Sequence, residues 1–283
     1  MTNVDINHLK AWIGREQQKT DTISPRLVQS FNAIFDAPLD IPVGQEAPAG
    51  IHWCLAPDIA PMKALGPDGH PARGGFLPPV PFPRRMWAGG KLDCFDRFLV
   101  GDEIARRSTI EDVALKAGHS GALVFVTVRH DYETGRGLAL RERQDIVYRQ
   151  AGGQSSGHAT PPKVEPAPEP DRARVIDATP TLLFRYSAIT FNGHRIHYDL
   201  DYVTREEGYP GLIFHGPLQA SYLLRMAVEC RDGVLPAAFS FRSGRPLFAG
   251  GQVSINARQT DSGISLWFAD QAGQMTMTAT ATF

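Results

Sequence analysis

Cysteine is scarce in this chain, and its three cysteines lie far apart at Cys54, Cys94 and Cys230. They lack the close spacing of a zinc site or of a disulfide framework, so we expect reduced, buried thiols and a cytoplasmic protein. Long apolar runs are also missing. No stretch is apolar enough to span a bilayer, and residues 1–21 lack the apolar core of a signal peptide, so no membrane partner is expected.

An excess of charge of one sign is absent as well. Lysine and arginine together number 29 and aspartate and glutamate 30, giving a formal net charge of −1. Without a basic field, nucleic acid is not an expected partner. Hydrophobic residues make up 42% of the chain and charged residues 21%, as is typical of a soluble globular protein. A chain of 283 residues is expected to form two packed units.

The clearest change in composition runs over residues 151–178, where glycine, serine, proline and charge replace almost all apolar residues. This composition predicts a linker between an N-terminal unit at 1–150 and a C-terminal unit at 179–283. In both units, alternating apolar residues bounded by glycine-bearing turns predict antiparallel strands. The predicted strands are 104–115, 122–132 and 138–148 in the first unit, and 239–242, 252–257, 264–269 and 275–283 in the second.

Each unit also contains one strong helix signal. Ser24 is a favoured N-cap residue, and the helix it begins is predicted to span Pro25–Phe35. In the second unit, Gly216-Pro217 opens a helix predicted at 218–229. The pattern therefore predicts an α+β fold in which one helix is wrapped by an antiparallel sheet, twice over. Between the first helix and its strands, residues 57–83 form a proline- and glycine-rich loop whose length predicts a functional role.

Polar side chains with catalytic chemistry concentrate at 184–217, which holds three of the nine histidines. Asn192 and His197 are predicted to lie on one short loop, after a strand that ends near Thr190. Gly216 begins the second helix, whose unpaired N–H groups can stabilise a developing oxyanion. The sequence thus predicts an acid–base group beside an electrophilic pocket.

This segment resembles the MaoC-like, hot-dog-fold (R)-specific enoyl-CoA hydratases and hydroxyacyl-thioester dehydratases. In that family an Asp is followed five positions later by His, and a helix begins with His-Gly; here Asn192, His197 and His215-Gly216 match this pattern. Because Asn replaces the usual Asp, position 192 cannot supply a carboxylate base. The string FRYSAITFNGHRIHYD is closest to the subgroup with Asn, which resembles mitochondrial-type hydroxyacyl-thioester dehydratases and bacterial mesaconyl-CoA or itaconyl-CoA hydratases. Further segments resemble the bacterial members: 12–16, 52–54 and 83–89.

The resemblance implies an α+β double hot dog, with a non-catalytic, acyl-CoA-binding N-terminal unit and a catalytic C-terminal unit. It implies a hydro-lyase that reversibly hydrates a short branched dicarboxylic enoyl-CoA of the itaconyl-, mesaconyl- or methylfumaryl-CoA type. No metal or cofactor is expected, since CoA is part of the substrate. Two alternatives stay open: a 3-hydroxyacyl-thioester dehydratase of fatty acid synthesis, and a catalytically silent acyl-thioester-binding module. Hot-dog sheets pair edge to edge, which favours a homodimer without requiring one.

The resemblance also assigns roles to individual residues. His197, with an ordinary pKa of about 6.5, would take a proton from water while Asn192 holds that water. The N–H of Gly216 would meet the enolate oxygen, and His215 would contact the substrate. A free carboxylate on the substrate calls for a cationic clamp. Its candidates are Arg84, Arg85 and Arg242, of which Arg85 can equally bind the phosphates of CoA.

Structural interpretations of the same residues also stay open. Asn192-Gly193 is a turn signal, Gly216 can serve only to start a helix, and Arg84 with Arg85 can form a solvated pair. The three histidines could together bind a metal, but the cluster lacks the carboxylate or thiolate ligands of known metal-site spacings.

Overall fold

The computed structural model describes residues 4–118, 121–150 and 167–283. Strands in these ranges are β1 (Glu16–Thr22), β2 (Arg84–Cys94), β3 (Glu103–Gly118), β4 (Gly121–Thr134), β5 (Gly137–Arg149), β6 (Arg172–Asp177), β7 (Ala238–Ser243), β8 (Gln252–Thr260), β9 (Gly263–Ala269) and β10 (Met275–Thr282). The helices are α1 (Ile6–Lys10), α2 (Pro25–Asn32), α3 (Pro180–Ile189), α4 (Leu200–Arg205) and α5 (Gly216–Glu229). Short 3-10 segments lie at Ile51–Cys54, Met62–Ala64 and Arg195–His197.

All of these strands belong to one antiparallel sheet, in the order β1-β3-β4-β5-β2-β7-β10-β9-β8-β6. The strands of the N-terminal unit, β1 to β5, occupy one side of this sheet, and those of the C-terminal unit, β6 to β10, occupy the other. The two units meet where β2 pairs with β7. The predicted α+β class is therefore confirmed, and the predicted strands all lie within observed ones except for Phe283 at the end of the last strand.

The two predicted helices pack inside their units. Ser24 caps α2, since its Oγ accepts a hydrogen bond from the backbone N–H of Leu27 at 3.2 Å. The helix ends at Asn32, three residues earlier than predicted. α5 lies against β7 to β10 and buries most of its side chains. In the described ranges, no helix combines the length and hydropathy needed to cross a bilayer.

Two expectations about chain organisation are wrong in part. Residues 180–189 form helix α3 and not a strand ending near Thr190, because the Thr179 side chain caps the first turn. The predicted linker at 151–178 includes 151–166, which lie outside the described residues. Its last part forms β6, an edge strand that pairs with β8.

Glycine is required where the two units meet. A Cβ atom on Gly89 would lie 2.6 Å from the carbonyl oxygen of Phe241. A Cβ atom on Gly90 would lie 2.4 Å from the carbonyl oxygen of Arg143 and 2.7 Å from the Phe241 ring. Since Cβ atoms do not approach carbonyl oxygens this closely, any side chain here would push β2 away from β5 or β7.

We therefore expect Gly90→Ala to lower the free energy of unfolding by about 2 kcal/mol, the cost typical of an overpacked core position. Gly135→Ala is the matched control, because a Cβ atom at Gly135 has open space around it. Urea unfolding followed by circular dichroism measures both variants. Equal midpoints for the two variants would show that the junction tolerates a side chain.

Candidate active site

The predicted motif spans the loop after α3, which carries Asn192, and the 3-10 segment at Arg195–His197, which ends with His197. The backbone N–H of Asn192 donates to the carbonyl of Ser187 at 2.9 Å, and Phe191 turns the chain with a φ of 51°. The Oδ1 atom of Asn192 accepts a hydrogen bond from the N–H of His194 at 3.1 Å. This bond fixes the amide orientation, because a backbone N–H can only donate. The NH2 group of Asn192 is thereby left to donate into the cleft that the residue lines.

His197 is held in one tautomer by the backbone. Its Nδ1 lies 2.7 Å from the carbonyl oxygen of Ile213, so Nδ1 carries the proton and Nε2 is the acceptor. Burial lowers the pKa of His197 from 6.5 to about 4, which keeps the imidazole neutral at neutral pH. A neutral imidazole with an unprotonated Nε2 is suited to take a proton from water.

His215 supports His197 from behind. Their rings are stacked with centroids 3.6 Å apart, and the Nε2 of His215 shares a hydrogen bond with the Oγ of Ser187 at 2.8 Å. His215 is only 1% exposed and, like His197 at 7%, is not among the residues that line the cleft, so its predicted contact with substrate stays a prediction. Gly216 begins α5, and a Cβ atom there would lie 2.8 Å from the Trp87 ring. The start of α5 thus has room for glycine only.

Four imidazole rings form a continuous series, which we call the histidine row: His70, His194, His197 and His215. Successive ring centroids are 4.1, 5.5 and 3.6 Å apart. Burial lowers the pKa of all four imidazoles below the ordinary value. At one end of the row, Asp68 pairs with the Nδ1 of His70 at 3.2 Å. The sequence motif therefore supplies only part of the polar network around His197.

Part of this polar network comes from the long loop at 57–83, which packs against the loop that carries Asn192. The backbone N–H of Arg195 donates to the carbonyl of Asp68 at 2.9 Å, and its Nη1 donates to the carbonyl of Pro67 at 3.0 Å. A Cβ atom on Gly69 would lie 2.0 Å from the carbonyl oxygen of Gly193. The N-terminal unit thus contributes backbone to the site, as the length of the loop suggested.

Asp68, His70 and His194 also form a candidate cation site, because their ligand atoms all lie within 4.8 Å of one another. Burial is the largest cause of the lowered pKa of both imidazoles, and the nearby guanidinium of Arg85 lowers it further; the same positive charge opposes a bound metal ion. Asp68 already accepts hydrogen bonds from His70. We therefore interpret this group as a hydrogen-bonded pair beside a third imidazole, and the absence of a metal requirement stays a prediction.

A cleft of about 1610 Å³ runs between the two units. Pockets for drug-sized ligands have volumes of about 300–1,000 Å³, and this cleft is larger. A CoA thioester is a longer ligand and needs the additional space. Of the three predicted arginines, Arg85 lines the cleft. Arg84 is paired with Glu207 at 3.2 Å, and Arg242 is exposed on β7, so the structure does not bring these two to the cleft.

The strands of the N-terminal unit give the cleft an unexpected polar wall. Side chains from neighbouring positions on β3, β4 and β5 face the cleft together, and we call them the polar stripe: Arg106, Ser108, His130, Tyr132, Glu142 and Gln144. The polar stripe lies between the two hydrophobic clusters of the sheet. Sequence reasoning missed these residues, although a polar residue at an inward position of an alternating strand is a usable signal.

These features are those of an acyl-thioester hydro-lyase of the double hot-dog class. The chain belongs to the hydroxyacyl-thioester dehydratase type 2 family, whose model matches residues 50–249. It is 39% identical over 272 residues to a mesaconyl-C(4)-CoA hydratase of Chloroflexus aurantiacus, covering 95% of this chain and 96% of the relative.

Two further comparisons agree with this assignment. The chain is 26% identical over 245 residues to the mitochondrial hydroxyacyl-thioester dehydratase type 2 of Schizosaccharomyces pombe, covering 77% of this chain and 79% of the relative. A Mycobacterium tuberculosis protein with a double hot-dog fold matches with a TM-score of 0.56 at 13% identity, covering 96% of each chain. That structural likeness confirms the predicted fold.

We expect His197→Ala to lower kcat by about 100- to 10,000-fold, the range typical of losing a general base, with the fold intact. The measurement is hydration of an enoyl-CoA, with thermal unfolding as the check on folding. His8→Ala, at an exposed position on α1, is the control variant and should retain full activity. Near-normal turnover by His197→Ala would remove this residue from the mechanism.

Asn192→Asp tests the direction of the hydrogen bond at position 192. The aspartate can still accept from the N–H of His194 but cannot donate into the cleft, so we expect kcat to fall about 100-fold. Steady-state kinetics on the same substrate give the answer. If Asn192→Asp equals or exceeds the parent enzyme while Asn192→Ala is inactive, position 192 acts as an acceptor and the donor role is wrong.

Proposed function

We propose that this enzyme reversibly hydrates the double bond of a short, branched, dicarboxylic enoyl-CoA of the mesaconyl-, itaconyl- or methylfumaryl-CoA type. The 39% identity to a mesaconyl-C(4)-CoA hydratase, over 95% of the chain, supports this substrate class. The observation that carries the proposal is the polar stripe on the wall of the cleft. A long alkyl chain would leave the guanidinium of Arg106, whose buried Nε has no hydrogen-bond partner among the described residues, without a matching charge, whereas a substrate with a second carboxylate would supply one.

In the proposed hydration step, water adds its oxygen to the β-carbon of the thioester. The Nε2 atom of His197 takes a proton from that water, and the NH2 group of Asn192 donates a hydrogen bond to the water oxygen. The electron pair of the double bond moves toward the thioester carbonyl, whose oxygen becomes enolate-like. The N–H of Gly216 and the N-terminus of α5 stabilise that charge.

The second half of the step returns the proton to the α-carbon. Protonated His197 can supply it, so that one water molecule is consumed and the enzyme returns to its starting state. The stacked ring of His215 and the hydrogen bond to the carbonyl of Ile213 keep the imidazole in place during both transfers. Dehydration follows the same path in reverse, which is why the direction depends on the supply of substrate.

The proposal is tested by incubating the purified protein with a panel of thioesters and measuring the gain of one water by mass spectrometry. The panel contains mesaconyl-C4-, itaconyl- and methylfumaryl-CoA, with crotonyl-CoA and a longer straight-chain enoyl-CoA. We expect kcat/KM for at least one dicarboxylate to exceed that for crotonyl-CoA by about 10- to 150-fold, the value of a hydrogen bond to a charged group.

The control in this panel is His197→Ala, which must lose activity on every substrate that the parent protein converts. Conversion of straight chains alone would instead assign the protein to 3-hydroxyacyl-thioester dehydration. No conversion of any thioester, despite binding, would favour the silent binding module.

A further inference from the structure

Arg106 is a buried cation within the polar stripe. It lies on β3, opposite Tyr132 of β4, and its side chain is only 13% exposed. The neighbouring residue Arg107 points to the other face of the sheet, where it is 48% exposed and pairs with Glu133 at 3.4 Å. Burial of a guanidinium is costly unless its donors and its charge are matched.

The donors of Arg106 are poorly matched in the described structure. Its Nε atom is buried and has no hydrogen-bond partner among the described residues. Its Nη1 reaches only the carbonyl of Leu55, at 3.4 Å, and its Nη2 lies 3.9 Å from the carboxylate of Asp58. That carboxylate is already paired with the ammonium of Lys19. The guanidinium therefore has capacity to bind a further anion.

Among the ionisable side chains of the polar stripe, the guanidinium of Arg106 is the main charge. His130 is held by Ser108 at 2.7 Å and by Gln144 at 3.0 Å, and burial lowers its pKa to about 4, so it is neutral. Burial raises the pKa of Glu142 to about 7, which reduces its negative charge at neutral pH. The wall of the cleft at Arg106 thus favours an anionic ligand group.

Side-chain contacts connect this wall to the reacting end of the cleft. Trp87 packs against Gly216 at the start of α5, and its ring lies 5.9 Å from that of Trp53. The Nε1 of Trp53 donates to Glu142 at 2.9 Å, and the hydroxyl of Tyr132, which lies opposite Arg106, donates to Glu142 at 3.4 Å. A series of side-chain contacts therefore joins the start of α5 to the polar stripe.

We propose that Arg106 binds the free carboxylate of the acyl group and selects dicarboxylic over monocarboxylic thioesters; this inference rests on the function proposed above. The planar guanidinium can give a carboxylate two parallel hydrogen bonds. Arg85 does not meet the same description, because it lies beside His70 and Tyr148, near the histidine row. Arg85 is then available for the phosphates of CoA.

The test compares the dissociation constants of succinyl-CoA and butyryl-CoA, which have four-carbon acyl chains and differ in the terminal carboxylate. Isothermal titration calorimetry on the whole protein gives both constants. For the parent protein we expect succinyl-CoA to bind about 10- to 150-fold more tightly. In Arg106→Met the ratio should fall to about 1, mainly through weaker binding of succinyl-CoA. Arg106→Lys should keep part of the ratio, since it keeps the charge but not the paired donors.

Arg107→Met is the matched control, one residue away on the opposite face, and should keep the parent ratio. Circular dichroism checks that each variant is folded. If Arg106→Met does not fold, the decrease of the binding ratio in Arg106→Lys tests the inference instead. A parent ratio that survives in both Arg106 variants, or that is lost in Arg85→Met instead, overturns this inference and leaves the proposed function standing. A parent protein that hydrates only straight-chain thioesters contradicts the proposed function itself.

Discussion

Hydrogen bonds between β2 and β7 join two hot-dog units into one sheet, and the position of every functional group depends on that pairing. The pairing needs Gly89 and Gly90, because no side chain fits between β2 and its neighbours. It brings the wall formed by β3, β4 and β5 and the loop that carries Asn192 to the same cleft. Neither unit alone contains both surfaces, so the cleft exists only in the joined sheet.

The two units contribute different parts of the candidate active site. The second unit supplies the proposed base, the proposed amide donor and the start of α5, while the first supplies the loop at 57–83 and the polar wall of the cleft. Burial is the common physical cause of the site's electrostatics. It lowers the pKa of the imidazoles, which are therefore neutral at neutral pH, and it raises the pKa of Glu142.

Short sequence patterns predicted the helices and strands that depend on interactions between residues close together in the chain. Ser24 with Pro25 marked α2, and alternation with glycine turns marked the hairpins of β3 to β5 and β8 to β10. A strand was predicted to end near Thr190, but the chain forms α3 there, and the Thr179 side chain caps its first turn. The spacing of Asn192 and His197 predicted that they share one loop. The partners of that loop could not be predicted, because Asp68 and His70 reach it only through the folded path of residues 57–83.

The same limit applied to Arg106. The alternation of residues along β3 predicts a strand, but it does not predict which groups the inward face of that strand contacts.

The polar stripe has a consequence for how the substrate range of such enzymes can change. Its residues lie on strands of the first unit, and Asn192 and His197 lie in the second. Under the proposed roles, substitutions on β3 to β5 would change the substrate range while leaving the proton-transfer geometry in place. Selectivity and reactivity would then be controlled by different units of one polypeptide.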